Sequence, residues 1–153
     1  METLERILAE HSFFADLDLA FMSLLVGCAS NVRFPAGAYI FKAGDAANTF
    51  YLIREGQVAL EISPPQHKPI IVETLGVGEI LGWSWLLPPF FWKFHAHAIK
   101  DVRAIALDGK CLRGKCEENH DLGYEVLKRF ARIMEQRLEA TRLQLLDVYA
   151  MPR

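Results

Sequence analysis

At 153 residues the chain is long enough for one domain with a closed core, and 17 basic against 19 acidic side chains leave a formal charge of −2, which gives no general attraction to nucleic acid. Three cysteines, Cys28, Cys111 and Cys116, form an odd set without Cys-x-x-Cys spacing, so no disulfide framework, zinc site or iron–sulfur cluster is expected, and free thiols suit a reducing cytoplasm. No stretch approaches the ~20 apolar residues of a membrane span, and residues 1–7 lack the basic start and apolar run of a signal peptide.

Residues 3–11 set Leu4, Ile7 and Leu8 at helical spacing among charges. Phe14, Leu17, Phe21, Leu24, Leu25 and Cys28 repeat that period, with Asp16 or Asp18 available to cap a helix start. These helices, within residues 1–30, are expected to pack on the body of the domain. From Val32 short β-branched and aromatic runs alternate with turn residues, at 33–34, 39–41, 49–53, 58–62 and 70–75. Strands this short at near-regular spacing predict a sandwich or jelly roll over residues 31–108. Gly44-Asp45 and Glu55-Gly56 supply turns that need positive φ, and residues 63–69, SPPQHKP, read as a polar hairpin loop.

The most informative stretch is residues 75–98, LGVGEILGWSWLLPPFFWKFHAHA. Gly76, Gly78 and Gly82 permit a tight backbone path. Residues 83–87 are expected to form one helical turn whose first N–H groups lack internal partners and so face an anion. Glu79, beside that turn, is an acceptor suited to a ribose hydroxyl. Beyond it, Phe94, Ala96 and Ala98 fall on one strand face and His95 and His97 on the other. Two imidazoles on one face can ligate a metal, but no third ligand follows by spacing, so no metal site is assigned. A strand over 102–107 closes the sheet before Asp108-Gly109.

Residues 109–153 are expected to be helical, with a long continuous period from 117 to 149. Leu127, Met134, Thr141 and Val148 recur every seven residues, with Ala131, Leu138 and Leu145 four residues after the first three. This is a heptad seam, and a homodimer paired along it is expected. A second stripe, Val126, Phe130 and Ile133, runs beside the seam in the first half only.

Residues 75–98 resemble the phosphate-binding cassette of the cyclic nucleotide-binding domains. The resemblance runs back through Tyr39-Ile40-Phe41-Lys42-Ala43-Gly44-Asp45 and Phe50-Tyr51-Leu52-Ile53-Arg54-Glu55-Gly56-Gln57-Val58, with Gly37, Gly44, Gly56 and Gly78 each set between apolar strands, and forward through the last helix. It therefore covers nearly the whole chain. It implies a mainly β fold with flanking helices, a double-stranded β-helix (jelly roll) followed by a long C-terminal dimerisation helix. It also implies a ligand site at Gly78, Glu79, Ile80, Leu81, Gly82, Trp83 and Ser84, continued by Trp92, Lys93 and Phe94. Leu138, Thr141 and Leu145 resemble the part of the family's long helix where a base is contacted and dimers pair, which adds Thr141 to the site.

The cassette departs from the family pattern at one position. Nucleotide-binding members pair an Arg after the cassette turn with the cyclic phosphate, and here Trp92 takes that place with Lys93 next to it. A phosphate without its bidentate guanidinium loses its strongest charge-assisted contact, and a Lys is not equivalent to an Arg in that geometry. The resemblance thus implies a regulatory or sensor module with a modified cassette, taking a cyclic nucleotide (cAMP or cGMP) or another small anionic ligand as a dimer. The alternative is a degenerate module whose pocket is filled by its own Trp83, Trp85 and Trp92 and which serves as a dimeric interaction scaffold. No catalytic set is present: Ser84 lacks a strand–elbow context and the cysteines have no paired His. In the transcription-factor branch a helix-turn-helix follows the long helix; only Met151-Pro152-Arg153 remains here, so no DNA binding by this chain alone is expected, and any output runs through a separate protein.

Overall fold

The computed structural model of the chain describes residues 4–150. Helix α1 (Leu4–Glu10) passes through a single 3-10 turn (Ser12–Phe14) into α2 (Leu19–Val26). Of the two aspartates able to cap α2, Asp18 does so, its Oδ1 accepting from the Ala20 N–H at 2.8 Å. Asp16 instead adopts φ 62° in the preceding turn. Eight strands follow: β1 (Ala29–Phe34), β2 (Tyr39–Phe41), β3 (Thr49–Glu55), β4 (Val58–Ile62), β5 (Ile70–Leu75), β6 (Ile80–Leu81), β7 (His95–Ala98) and β8 (Val102–Asp108). They form two four-stranded antiparallel sheets, ordered β1-β8-β3-β6 and β2-β7-β4-β5. Apart from the β4–β5 hairpin, neighbours in each sheet come from distant parts of the chain, as a jelly roll requires.

Burial alternates along β7, whereas β4 and β8 each bury four successive residues. In β7, Ala96 and Ala98 are buried while His95 and His97 stay at the margin; in β8, Ala104, Ile105 and Leu107 join Phe50, Leu52 and Ile53 of β3 in the core. Gly56 is where the turn requires glycine: at φ +97° its Cβ would lie 2.3 Å from the Asp101 carbonyl oxygen. The β5 edge is less covered, and Ile70, Ile71 and Val72 are exposed.

Helix α3 (Gly109–Glu118) and the 31-residue α4 (His120–Ala150) complete the chain. The helical period thus begins eight residues before residue 117, and it is interrupted at Asn119. Asn119 leaves helical geometry at φ −130°, and its side-chain oxygen accepts from the Leu122 N–H, so it ends one helix and starts the next. Such a break is hard to see in a hydrophobic pattern because both helices present an apolar stripe. At ~1.5 Å per residue α4 is about 46 Å long, more than the barrel can cover. Its buried residues are Leu122, Val126 and Phe130, so the short second stripe is the face that lies on the barrel. Phe130 meets Phe13, Phe50 and Trp85 edge-on, with centroids 5.1, 5.2 and 5.4 Å away. From residue 139 to residue 150 every side chain of α4 is exposed, including Leu143, Leu145, Leu146 and Val148.

Candidate functional site

A cavity of about 690 Å³ opens between the β2-β7-β4-β5 sheet, the cassette and the middle of α4. Seven of the residues implied by the resemblance line it: Leu81, Gly82, Trp83, Ser84, Trp92, Phe94 and Thr141. Its other walls are mostly aliphatic, from Leu60, Ile62, Ile71 and Val72 of the sheet and Met134 and Leu138 of α4. The seam residues Met134, Leu138 and Thr141 therefore close the cavity as well as forming part of the heptad pattern.

The remaining expected site residues lie elsewhere. Gly78, Glu79 and Ile80 line a separate polar cleft of about 370 Å³, together with His11, Arg129 and Arg132. The Glu79 carboxylate turns back on its own loop and accepts from the Gly76 N–H at 2.6 Å, so it does not reach into the larger cavity. Gly78, at φ +86°, donates its N–H to the Ile53 carbonyl and receives His11 Nε2 on its own carbonyl at 2.5 Å. Lys93 is exposed and lines neither the cavity nor the cleft.

The expected helical turn over 83–87 is only a single hydrogen-bonded turn, closed by the Leu86 N–H on the Trp83 carbonyl at 3.0 Å. Pro88 and Pro89 follow at once. A proline has no N–H to extend a helix and disfavours helical geometry in the residue before it, so the turn stops there, at the one turn expected.

The three tryptophans have three different fates. Trp85 is fully buried away from the cavity, stacked on Phe50 at 4.8 Å and pressed against Gly109, where a Cβ would come within 2.9 Å of the indole. Trp83 is half-buried at the cavity wall under the Arg137 guanidinium, 4.8 Å from the ring centroid. Trp92, only 7% exposed, lies flat on Phe41 with centroids 3.8 Å apart and planes 8° apart. Its ring edge covers Gly82 so closely that a Cβ there would stand 2.6 Å from it. Gly82 is thus required twice, by its φ of +97° and by the indole.

Arg137 is the functional candidate that the cassette could not disclose. It comes from α4, its side chain is 14% exposed, and it borders both the cavity and the polar cleft. Its Nη2 donates to the Ile80 carbonyl, and its Nε stands 3.6 Å from Glu73 Oε1. Burial lowers the pKa of the guanidinium, opposed by the charges of Glu73 and Glu79. Burial also raises the Glu73 carboxyl above its ordinary value, with Arg137 pulling it down and Glu79 pushing it up. Only the helical period of α4 hinted at this residue: Arg137 sits one position before Leu138 of the seam.

His95 and His97 serve the outer face of their sheet. His95 Nδ1 accepts from the Ala43 N–H at 3.1 Å. His97 stacks on Tyr39 at 4.5 Å and bonds through Nδ1 to Glu61 and through Nε2 to the Gly37 carbonyl. Glu61, a buried carboxylate, also accepts from the Tyr39 hydroxyl at 3.3 Å. Among the described residues no three His, Cys, Asp or Glu side chains are grouped to hold a metal ion, and no helix is long and apolar enough to cross a membrane.

A jelly roll with a glycine-rich cassette turned toward a cavity under a long C-terminal helix defines a class, and the comparisons agree. The pattern of the cyclic nucleotide-binding domain matches residues 31–119, and the chain belongs to that family. It is similar to a putative cyclic nucleotide-binding protein from Geobacter metallireducens, with 30% identity, a TM-score of 0.80, and 90% of this chain and 99% of that one covered. It is 23% identical over 145 residues to the CRP-like cAMP-activated global transcriptional regulator of Mycobacterium tuberculosis, covering 95% of this chain but 63% of that regulator's length. The fold also matches the regulatory domain of Toxoplasma gondii PKA crystallised with cAMP, at 19% identity and a TM-score of 0.71 over 86% of this chain and 48% of that one.

Proposed function

We propose that this chain is a small-ligand sensing module of the cyclic nucleotide-binding type, dimeric through α4, with a modified cassette that has lost high affinity for cAMP. The observation that carries the reading is the cavity itself: about 690 Å³, between the cassette turn and the middle of the seam, within the usual size of small-molecule sites. A ligand seated there touches both the barrel and α4, which is the coupling a sensor needs. Trp85, which could have plugged the cavity, packs into the core instead. That favours a sensing pocket over a scaffold whose pocket is filled by its own side chains.

The weakening for cAMP follows from charge and shape. Trp92 stands where the resemblance puts the phosphate-binding arginine, Lys93 is exposed and does not line the cavity, and Glu79 is held by its own loop. Loss of a charge-assisted bidentate contact, worth roughly 1.5–3 kcal/mol, together with the missing carboxylate contact, is worth about a hundredfold or more in affinity. Dimerisation is supported by the exposed apolar residues of α4 and of β5, which a second copy would cover. Calorimetric titration with cAMP and cGMP, together with native mass spectrometry of the purified protein, tests the reading. Expected are nucleotide binding at least about a hundredfold weaker than in arginine-containing relatives and a different small molecule carried through purification. Tight cAMP binding would overturn the modified-cassette reading.

A further inference from the structure

The two ends of the cavity differ in chemistry. At the cassette end the Trp92 indole, stacked on Phe41 and lying over Gly82, presents a hydrocarbon surface where the family's anion would meet the turn. At the α4 end stands Arg137, fixed in place by the Ile80 carbonyl and by the Trp83 ring beneath it. A guanidinium carries five donors; Nη2 is used by Ile80, Nε faces Glu73 only loosely at 3.6 Å, and Nη1 has no hydrogen-bond partner among the described residues. A preset fork with donors to spare, at the end of a hydrocarbon cavity, matches a carboxylate on an apolar body. A phosphate monoester dianion matches less well, because the Glu73 and Glu79 carboxylates act on the same guanidinium and repel the second charge; a cyclic phosphodiester carries one charge, and for it the apolar wall decides. A nucleotide would also set much of its ribose and base against Leu60, Ile71 and Phe94, with few polar side chains, Ser84, Thr141 and Gln144 besides Glu73 and Arg137, to pair their polar atoms.

We infer that the ligand of this cavity is an amphiphilic monocarboxylate, its apolar body against Trp92, Phe94 and Leu138 and its carboxylate on Arg137. The inference rests on the reading of this cavity as the sensing pocket, and it reverses the polarity that a cyclic nucleotide would require. The incoming carboxylate competes with Glu73 for the guanidinium. Glu73 therefore sets the affinity from the opposite direction: weakening its charge should tighten binding.

The test uses the full chain and two probes of matched shape, 2-naphthylacetate and the uncharged 2-(2-naphthyl)ethanol, followed by tryptophan fluorescence and calorimetry. The acid is expected to bind about tenfold or more tighter than the alcohol. Arg137→Met should erase that gap by weakening the acid far more than the alcohol, while Glu73→Gln, which keeps Arg137, should tighten the acid alone. Equal binding of acid and alcohol to the unmodified protein overturns the inference, as does a Glu73→Gln variant with weaker acid binding. If cAMP binds and the acid does not, the inference falls and the sensing-pocket reading stands. If cAMP, both naphthyl probes and any co-purified molecule are all absent from the cavity, both fall.

Discussion

The attachment of α4 to the barrel depends most on Phe130, and Phe130→Ala measures it. The ring is fully buried and meets three other aromatic rings edge-on, two from the barrel side and one from the N-terminal segment. Truncating a buried Phe costs about 3–5 kcal/mol, and edge-to-face pairs worth ~0.5–1.5 kcal/mol each place this site in the upper part of that range. In a domain whose whole stability is about 5–15 kcal/mol, that is a large share. With a urea slope near ~2 kcal/mol per molar, the unfolding midpoint should fall by about 2 M. Beyond Phe130 only half-buried side chains, Ile133, Met134 and Arg137, hold the helix to the barrel. Amide hydrogen exchange should therefore show residues 133–150 losing protection before the sheets do. Phe130→Leu, which keeps most of the apolar volume, should cost clearly less. A loss below about 1 kcal/mol for the alanine variant, with α4 protection unchanged, would refute the claim that this cluster anchors the helix.

Gly82→Ala should destabilise by about 1–3 kcal/mol through its φ of +97° and should displace the Trp92 ring, changing the intrinsic fluorescence; Gly44→Ala, at a similar φ but with no atom within 4 Å, should cost stability without the fluorescence change. Burial, more than the neighbouring Cys111 thiol, pushes the Cys28 pKa up to about 12, so near neutral pH it stays protonated and iodoacetamide should label exposed Cys111 well before Cys28, as peptide mass mapping would read; equal labelling would refute the burial argument. Leu145→Glu puts a charge in the exposed stretch of the seam and should halve the mass seen by light scattering at micromolar concentration without affecting the barrel; a monomeric unmodified protein would contradict the dimer.

The class of fold could be read from the residues because its determinants are local. The short β-branched and aromatic runs of Thr49–Glu55 and Val58–Ile62, the return to a helical period in the last third, and glycines at 37, 44, 56 and 78, all of which adopt positive φ, each follow from neighbours along the chain. The seam and the second stripe of α4 are both visible in the heptad spacing, and so is the Gly-rich stretch 76–82. Tertiary structure alone decided which stripe meets the barrel, because either face is apolar enough and only the aromatic cluster around Phe130 selects one. It also decided the fates of the tryptophans: Trp85 and Trp92 are seven positions apart and equally apolar, yet one fills the core behind Gly109 and the other walls the cavity over Gly82. Finally, it brought Arg137 from a helix forty-five positions beyond Trp92 to the far end of the same cavity, beside Glu73 and the Ile80 carbonyl. A buried charge finds its place by which distant backbone and carboxylate can satisfy it, and that partner choice exists only once the sheets and α4 have closed around it.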